Sequence, residues 1–524
     1  MMAQFFWSSC IGGRGRQWTK WSNLCLPEKE GGFGFRLMQD LAMALFCKLW
    51  WNFRTKPSIW REYMENKYCR KTHVTEIMWK PGGGGSQVWK KMLQARDLIE
   101  HQILWKMERG SVSVWHDNWT GLGDLYTITR EEFQCDDTYK TVRDLTRQGE
   151  WDTEVLHEIL PQELVNHILQ NIHPPKEEAT MDKPCWMPET RGSFSVKSAW
   201  HYIRHKAEEN KIYKWMWSKG VPFKMAFIMW RLWKFKIPVD DIMRRWGLEG
   251  PSKCWCCERP QHETLAHVFL KSDSANRTWS YFCSFAGLNI EGLQLREVIV
   301  LWWGTKIGTN MRPFYRALPS FTIWELWRKR NRMKHEGKQT SVARVIHNIT
   351  RNMYMLVRLR KPFMTCPVNW PDMLLEWTSY KPKMKVKRVL WEFPPNGWVK
   401  YNTDGASRGN PGLSSYAFVL RNAKGDVEYV ERASIENTTN TVAEAKAILE
   451  ASKHCKKSQH NQIIIQTDSM LLYKVLEKKW ACPWIIAEMV TEIQSCLQDK
   501  QVIFQHILRE GNKLADHVAN FVID

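Results

Sequence analysis

No run of apolar residues in the 524-residue chain approaches the ~20 that a membrane span requires; the longest, such as 298–303, are far shorter. The opening MMAQFFWSSCIGGRGR carries an apolar patch too short for the hydrophobic region of a secretory signal. The 14 cysteines are scattered without the spacing of a secreted disulfide framework. The expectation is a reducing compartment, nucleus or cytoplasm, with free thiols and no membrane partner. The glycine run at 81–86 lacks the Gly-Lys-Ser/Thr ending of a phosphate loop, so nucleotide binding is not expected there. A polymerase needs an aromatic-x-Asp-Asp pair to hold its metals. The Asp-Asp pairs here, Asp136-Asp137 and Asp240-Asp241, follow Gln134-Cys135 and Pro238-Val239, which excludes DNA synthesis from the reading.

Tryptophan and positive charge are what the chain has in excess. There are 31 Trp and a formal net charge of +21, with hydrophobic content of 44%. That hydrophobic share suits folded protein, and the length requires several domains. So large a positive balance implies a polyanionic partner, most often nucleic acid. Its placement is uneven. Residues 311–390 hold 18 basic and 4 acidic side chains, whereas from Asn396 onward there are 15 of each. Helical periodicity with dense basic faces runs through 321–331 and 342–360, giving either a solvated helical linker or an arm whose Arg and Lys meet phosphates. The basic run at 381–388 is a candidate nuclear address or a plain linker.

From Trp391 the composition shifts, and Pro394-Pro395 marks a boundary. The pattern beyond it reads as strand 398–404, hairpin strands 415–421 and 427–434, helix 441–454, strand 462–467, helices 469–478 and 484–498, strand 501–508 and helix 512–521. Three hairpin-type strands followed by alternating strands and helices indicate an α/β layer with a mixed five-stranded sheet flanked by helices. Four acids occupy matching settings: Asp404 at a strand end, with Gly405 expected to turn the chain; Glu444 opening a helix; Asp468 after a strand; Asp516 in the last helix. Singly, each has a plain structural use in a turn or at a helix N-terminus. Jointly, four acids converging without a cation would repel one another, so together they point to a cage for hard divalent ions.

These residues also carry a resemblance. Asn402-Thr-Asp404-Gly, Asn440-Thr-Val-Ala-Glu444-Ala, Thr467-Asp468-Ser and Asn512-Lys-Leu-Ala-Asp516 resemble, in order, the four acidic motifs of the ribonuclease H-like domain of plant non-LTR (LINE-type) retroelement proteins. The resemblance implies an RNA–DNA hybrid endoribonuclease using two Mg²⁺ (or Mn²⁺) ions held by Asp404, Glu444, Asp468 and Asp516. Asn410, Asn440, Ser469 and Asn512 are the implied substrate-binding residues. A second Asn of many relatives is Thr441 here. The histidine that bacterial-type members carry on a loop before the last Asp is absent from Arg509-Glu510-Gly511; His506 is a candidate stand-in inside an expected strand, and slower turnover is expected. The alternative reading is a catalytically weak or inactive nucleic-acid-binding relic of such an element.

Upstream, Trp18, Trp21, Cys25-Leu-Pro27, Gly31-Gly-Phe-Gly-Phe35 and the apolar helix after them resemble the tail of the reverse transcriptase of those elements. Cys254-Trp-Cys-Cys257, then Glu263-Thr-Leu-Ala-His267, resembles the zinc-binding domain that follows it. The resemblance implies zinc on Cys254, Cys257 and His267. The expected last cysteine is Ser272, a poor ligand. His262, Cys256, Asp273 and Cys283 stay open as the fourth donor, and a metal-free relic held by Trp packing is the other outcome. The expected organisation is therefore a reverse transcriptase C-terminal remnant (1–60), a β-rich connection (61–182), a Trp-rich, mainly helical zinc-binding-like domain (183–290), a basic helical linker (291–395) and a ribonuclease H-like domain (396–524). Val112, Val114 and Trp119 are expected on strands of the connection.

Overall fold

The computed structural model describes residues 2–7, 17–69, 72–75, 77, 85–129, 138–176, 181–248, 250–259, 261–381, 386 and 388–522. The glycine run at 81–84, the Asp136-Asp137 pair and positions 382–385 and 387 of the basic run lie outside them. No helix among the described residues is long and apolar enough to cross a membrane. The chain folds into two compact units, each of two segments: Met1–Leu37 with His205–Lys385, and Met38–Arg204 with Val386–Asp524.

The first unit is helical among the described residues, around a tryptophan-dense core. Trp230, Trp279, Trp302, Trp303, Trp370 and Trp377 are essentially buried there. Four of these indole N–H groups find backbone acceptors, Trp302 donating to the Tyr315 carbonyl at 2.8 Å and Trp230 to that of Gly31 at 2.8 Å, whereas those of Trp370 and Trp377 have no partner among the described residues. Buried indoles without such acceptors are costly, so these bonds fix how neighbouring segments pass one another. Gly31 has φ of +90°, and a Cβ there would lie 2.8 Å from the Tyr213 ring.

The basic stretch is not a linker. Helix Leu318–Asn331 is buried on nearly every side, because Phe321, Ile323, Leu326 and Trp327 interleave with its charges. Arg330 is buried and ion-paired with Glu263, which is itself fully buried, and the Lys329 ammonium donates to Ser274. Only the next helix, Val342–Arg360, is amphipathic in the expected sense. Val345, Ile349, Met353, Leu356 and Val357 face the core, leaving Arg344, His347, Arg351 and Arg358 exposed.

In the second unit, residues 38–204 are mainly helix and irregular turn. The expected β-rich connection reduces, among the described residues, to two short antiparallel pairs: Ile103–Lys106 with Lys183–Trp186, and Thr146–Arg147 with Glu150–Trp151. Val112, Val114 and Trp119 are buried as expected, but none of the three lies on a strand. The reason is local. The Asp182 carboxylate accepts from the backbone N–H of Glu108, Arg109, Gly110 and Ser111 at 2.6–2.9 Å, and Asp117 accepts from that of Ser113 at 2.8 Å. Side-chain acceptors thus take the donors that a strand ladder would have used.

The C-terminal domain has strands β1 (Val399–Gly409), β2 (Gly412–Arg421), β3 (Val427–Thr438), β4 (Gln462–Thr467) and β5 (Gln501–His506), in the order β3-β2-β1-β4-β5. The first three pair antiparallel, and β1, β4 and β5 are parallel. This is the expected mixed five-stranded sheet, with helices α1 (Asn440–Lys457), α2 (Met470–Leu476), α3 (Ala487–Cys496) and α4 (Lys513–Asn520). Alternation along β1 sorts its side chains between two layers. Val399 and Tyr401 join the apolar core beneath α1 and α3. Ala406 of β1 and Ala417 of β2 pack on Ala519 of α4. Helices therefore cover both faces, as parallel strands require.

Gly405 does not turn the chain, since β1 runs on to Gly409. It is glycine because α1 presses on the strand: a Cβ at Gly405 would lie 2.3 Å from the Ala443 carbonyl carbon and the Glu444 nitrogen. Gly405→Ala is expected to lower the unfolding free energy by about 3 kcal/mol, the upper end of overpacking costs. The urea midpoint should fall at unchanged slope, and an unchanged midpoint would contradict the close approach.

Candidate active site

Strand register brings the acids together. Asp404 lies on β1 and Asp468 directly follows β4; Thr403 pairs with Thr467 across those parallel strands, so both carboxylates emerge at one end of the sheet. Close contact at Gly405 delivers Glu444 from α1 to the same place. Carboxylate oxygens of Asp404, Glu444 and Asp468 lie within 4.8 Å of one another. Asp516 is not part of that trio. It sits at the rim, where its Oδ1 accepts from Asn520 Nδ2 at 3.0 Å and lies 3.5 Å from the Arg509 guanidinium.

An amide ladder sets the base of the site. Asn402 donates to Gln466 Oε1 at 2.9 Å, and Gln466 donates to Gln505 Oε1 at 2.9 Å, crossing β1, β4 and β5. Asn402 also donates to Asn512 Oδ1 at 3.2 Å, while Asn512 Nδ2 donates to the Thr403 carbonyl at 3.0 Å. Asn512, expected at the substrate, is thus buried and holds the start of α4 against β1. Its sequence setting beside an acidic motif did not separate anchoring from binding. Asn440 and Asn410 stay at the surface and touch each other, the Asn440 N–H donating to Asn410 Oδ1 at 3.2 Å. Ser469 is half-buried, next to Asp468, and its N–H donates to Thr467 Oγ1 at 3.0 Å. The His506 ring nitrogen contacts the Asp468 carbonyl at 3.1 Å, so the imidazole braces the strand end.

Burial and mutual repulsion govern the charge state. Burial, then Asp468 and Asp516, push the Asp404 carboxyl up to about 8. Burial and Asp404 raise Glu444 well above the carboxylate range. Burial raises Asp468 too, with Arg509 opposing. Glu444 Oε2 and Asp468 Oδ1 are buried with no hydrogen-bond partner among the described residues. Three crowded carboxylates with two orphaned oxygens are a donor set that fits a hard divalent cation such as magnesium or manganese. Arg509, which faces these acids, was missed in the sequence because nothing in Arg509-Glu510-Gly511 marks it apart from a surface turn.

A second donor set lies in the first unit. Ligand atoms of Cys254, Cys257 and His267 fall within 4.8 Å of one another, with Cys257 Sγ 3.2 Å from His267 Nε2. A hydrogen bond from Cys256 and, to a smaller degree, the neighbouring His267 hold the Cys254 thiol down at about 5 against its burial. A thiolate with an adjacent thiol and imidazole suits zinc. Ser272 is spent as a helix cap, its Oγ accepting from the Ala275 N–H at 3.3 Å. Of the open fourth donors, His262 is exposed and outside the trio, and Cys283 is buried in the apolar core. Asp240 pairs with Lys334 at 3.1 Å, a helix-start role and not a polymerase metal site.

Residues 194–279 match a family model described as zinc-binding in reverse transcriptase, and residues 402–522 one described as reverse transcriptase-like. An Arabidopsis thaliana protein named for ribonuclease H is 24% identical over an alignment of 542 residues, covering 99% of this chain and 82% of its own. Ribonuclease HI of Halobacterium salinarum is 30% identical over 132 residues, 24% of this chain and 65% of that protein. The solved ribonuclease H1 structure from the same archaeon aligns at 28% identity and a TM-score of 0.24, covering 24% of this chain and 98% of that one.

A carboxyl raised in the folded state binds its proton more tightly folded than unfolded. Its contribution to stability is complete below the ordinary value of 3.8 and is lost as pH rises through about 8. In EDTA, the melting temperature of the wild type should therefore fall relative to Asp404→Asn between pH 5 and pH 8.5. A difference that stays flat over that interval would show that Asp404 is not crowded by its neighbours.

Proposed function

From the premise that the chain is of the plant retroelement type, a reverse transcriptase zinc-binding region followed by a ribonuclease H-like domain, we propose that it is an RNA–DNA hybrid ribonuclease. The observation that carries this reading is the crowded trio of buried Asp404 and Glu444 with half-buried Asp468, two of whose oxygens have no hydrogen-bond partner among the described residues. Asp404, Glu444 and Asp468, with Asp516 at the rim, would hold the divalent ions. Bound there, such ions supply an activated water and neutralise the charge that develops at the phosphate.

The chain's own residues do the rest. The amide ladder and Asn512 keep the carboxylates on a rigid sheet end. Asn410 and Asn440, at the surface and joined to each other, offer amide groups to the substrate strand, where only the 2′-hydroxyl distinguishes RNA from DNA. Beyond α2, Lys478, Lys479 and the half-exposed Trp480 form a basic, aromatic edge suited to a nucleic-acid strand. In the other unit, exposed Arg344, Arg351 and Arg358 suit phosphate contacts blind to sequence. Zinc on Cys254, Cys257 and His267 would be structural, since it would tie 254–257 to the start of the following helices.

An end-labelled RNA–DNA hybrid incubated with the full chain and Mg²⁺ tests the reading. Cleavage of the RNA strand is expected with Mg²⁺ and only background with EDTA or with Asp404→Asn. Cleavage that survives Asp404→Asn would contradict the assignment.

A further inference from the structure

Resting on that reading of the carboxylate cage, we propose that Arg509 is a resident cation of the site: it shares Asp468 and Asp516 with divalent metal, weakens metal binding on that side, and yields its place when a phosphate arrives.

The position of Arg509 is set by its surroundings. Residues 509–511 make one tight turn, with the Asn512 N–H bonded to the Arg509 carbonyl at 3.1 Å and the Gly511 N–H to that of Leu508 at 2.8 Å. Asn512 is anchored to β1, and a Cβ at Gly511 would lie 2.8 Å from Ile507. The turn therefore cannot drift far from the sheet end. From it the guanidinium spans two carboxylates, Nε 3.9 Å from Asp468 Oδ2 and Nη2 3.5 Å from Asp516 Oδ1.

Those separations are too long for strong charge-assisted hydrogen bonds, and the side chain is 75% exposed. Arg509 is consequently held by charge, loosely, and is free to swing outward. A guanidinium cannot give up its proton to relieve a clash with a metal, so competition with a divalent ion is resolved only by movement. The donors differ accordingly. Among the described residues Asp404 and Glu444 form no ion pair and feel Arg509 only at longer range, whereas Asp468 and Asp516 both lie within 3.9 Å of it. Arg509 also has the planar fork that matches a phosphate. An incoming phosphodiester therefore draws it off the carboxylates and opens them to metal, which links full metal loading to substrate.

Manganese binding to the full chain, followed by calorimetry and by the loss of free Mn²⁺ signal in electron paramagnetic resonance, tests this without reference to turnover. The wild type should show one tighter and one weaker Mn²⁺ site in the domain. Arg509→Gln should tighten the weaker one about tenfold, the order expected for removing a unit charge some 4 Å away in a solvated setting. Arg509→Lys, which keeps the charge, should stay close to wild type. Unchanged or weaker Mn²⁺ binding in Arg509→Gln overturns the proposal. An isotherm unaltered by Asp404→Asn would instead remove the cage itself, and with it the proposed function.

Discussion

Repulsion between carboxylates is the constraint around which the C-terminal domain is built. A sheet end that gathers Asp404, Glu444 and Asp468 within 4.8 Å, out of water, is unfavourable on its own account. The domain accepts that arrangement because stiff elements enforce it. Gly405 lets α1 touch β1, the parallel register puts Asp468 beside Asp404, and the Asn402–Gln466–Gln505 ladder with Asn512 locks three strands to α4. The charge they concentrate has few outlets: protonation, a metal, or the guanidinium of Arg509. The pKa of Asp404 near 8, the orphaned oxygens and the loose ion pairs of Arg509 are three expressions of one electrostatic problem.

The tryptophan-rich unit meets a different requirement. Its core is aromatic, and the charges buried in it are tied down individually: Arg330 pairs with Glu263, and the Lys329 ammonium donates to the Ser274 hydroxyl. Such a pair adds little net stability over apolar packing but leaves few alternative ways to dock helix Leu318–Asn331. The thiol and imidazole donors sit in this unit, next to a helix whose N-terminus is capped by Ser272. The Ser272 hydroxyl serves that cap by accepting from the Ala275 N–H.

Much of this was legible in the residues. Alternation and turn chemistry placed all five strands and the four helices of the last domain, and three of the four acids singled out there, Asp404, Glu444 and Asp468, lie together at one sheet end. What stayed illegible were effects of contact at a distance. A glycine after Asp404 reads as a turn until a helix is seen pressing on it. Asn512 reads as a surface amide beside a motif until its bonds to Thr403 and Asn402 are seen. The connection region read as strands because its apolar residues alternate, yet Asp182 and Asp117 captured the backbone donors first. The basic stretch read as a solvated linker or a phosphate-contacting arm because its charge outweighed the Phe, Ile and Trp interleaved with it, which bury helix Leu318–Asn331.

Anomalous diffraction from crystals of the full chain soaked in Mn²⁺ tests the central claim most directly. The account predicts a manganese peak among the carboxylates of Asp404, Glu444 and Asp468. Well-ordered acids at that sheet end with no manganese among them, at millimolar Mn²⁺ and pH above 8, would contradict it.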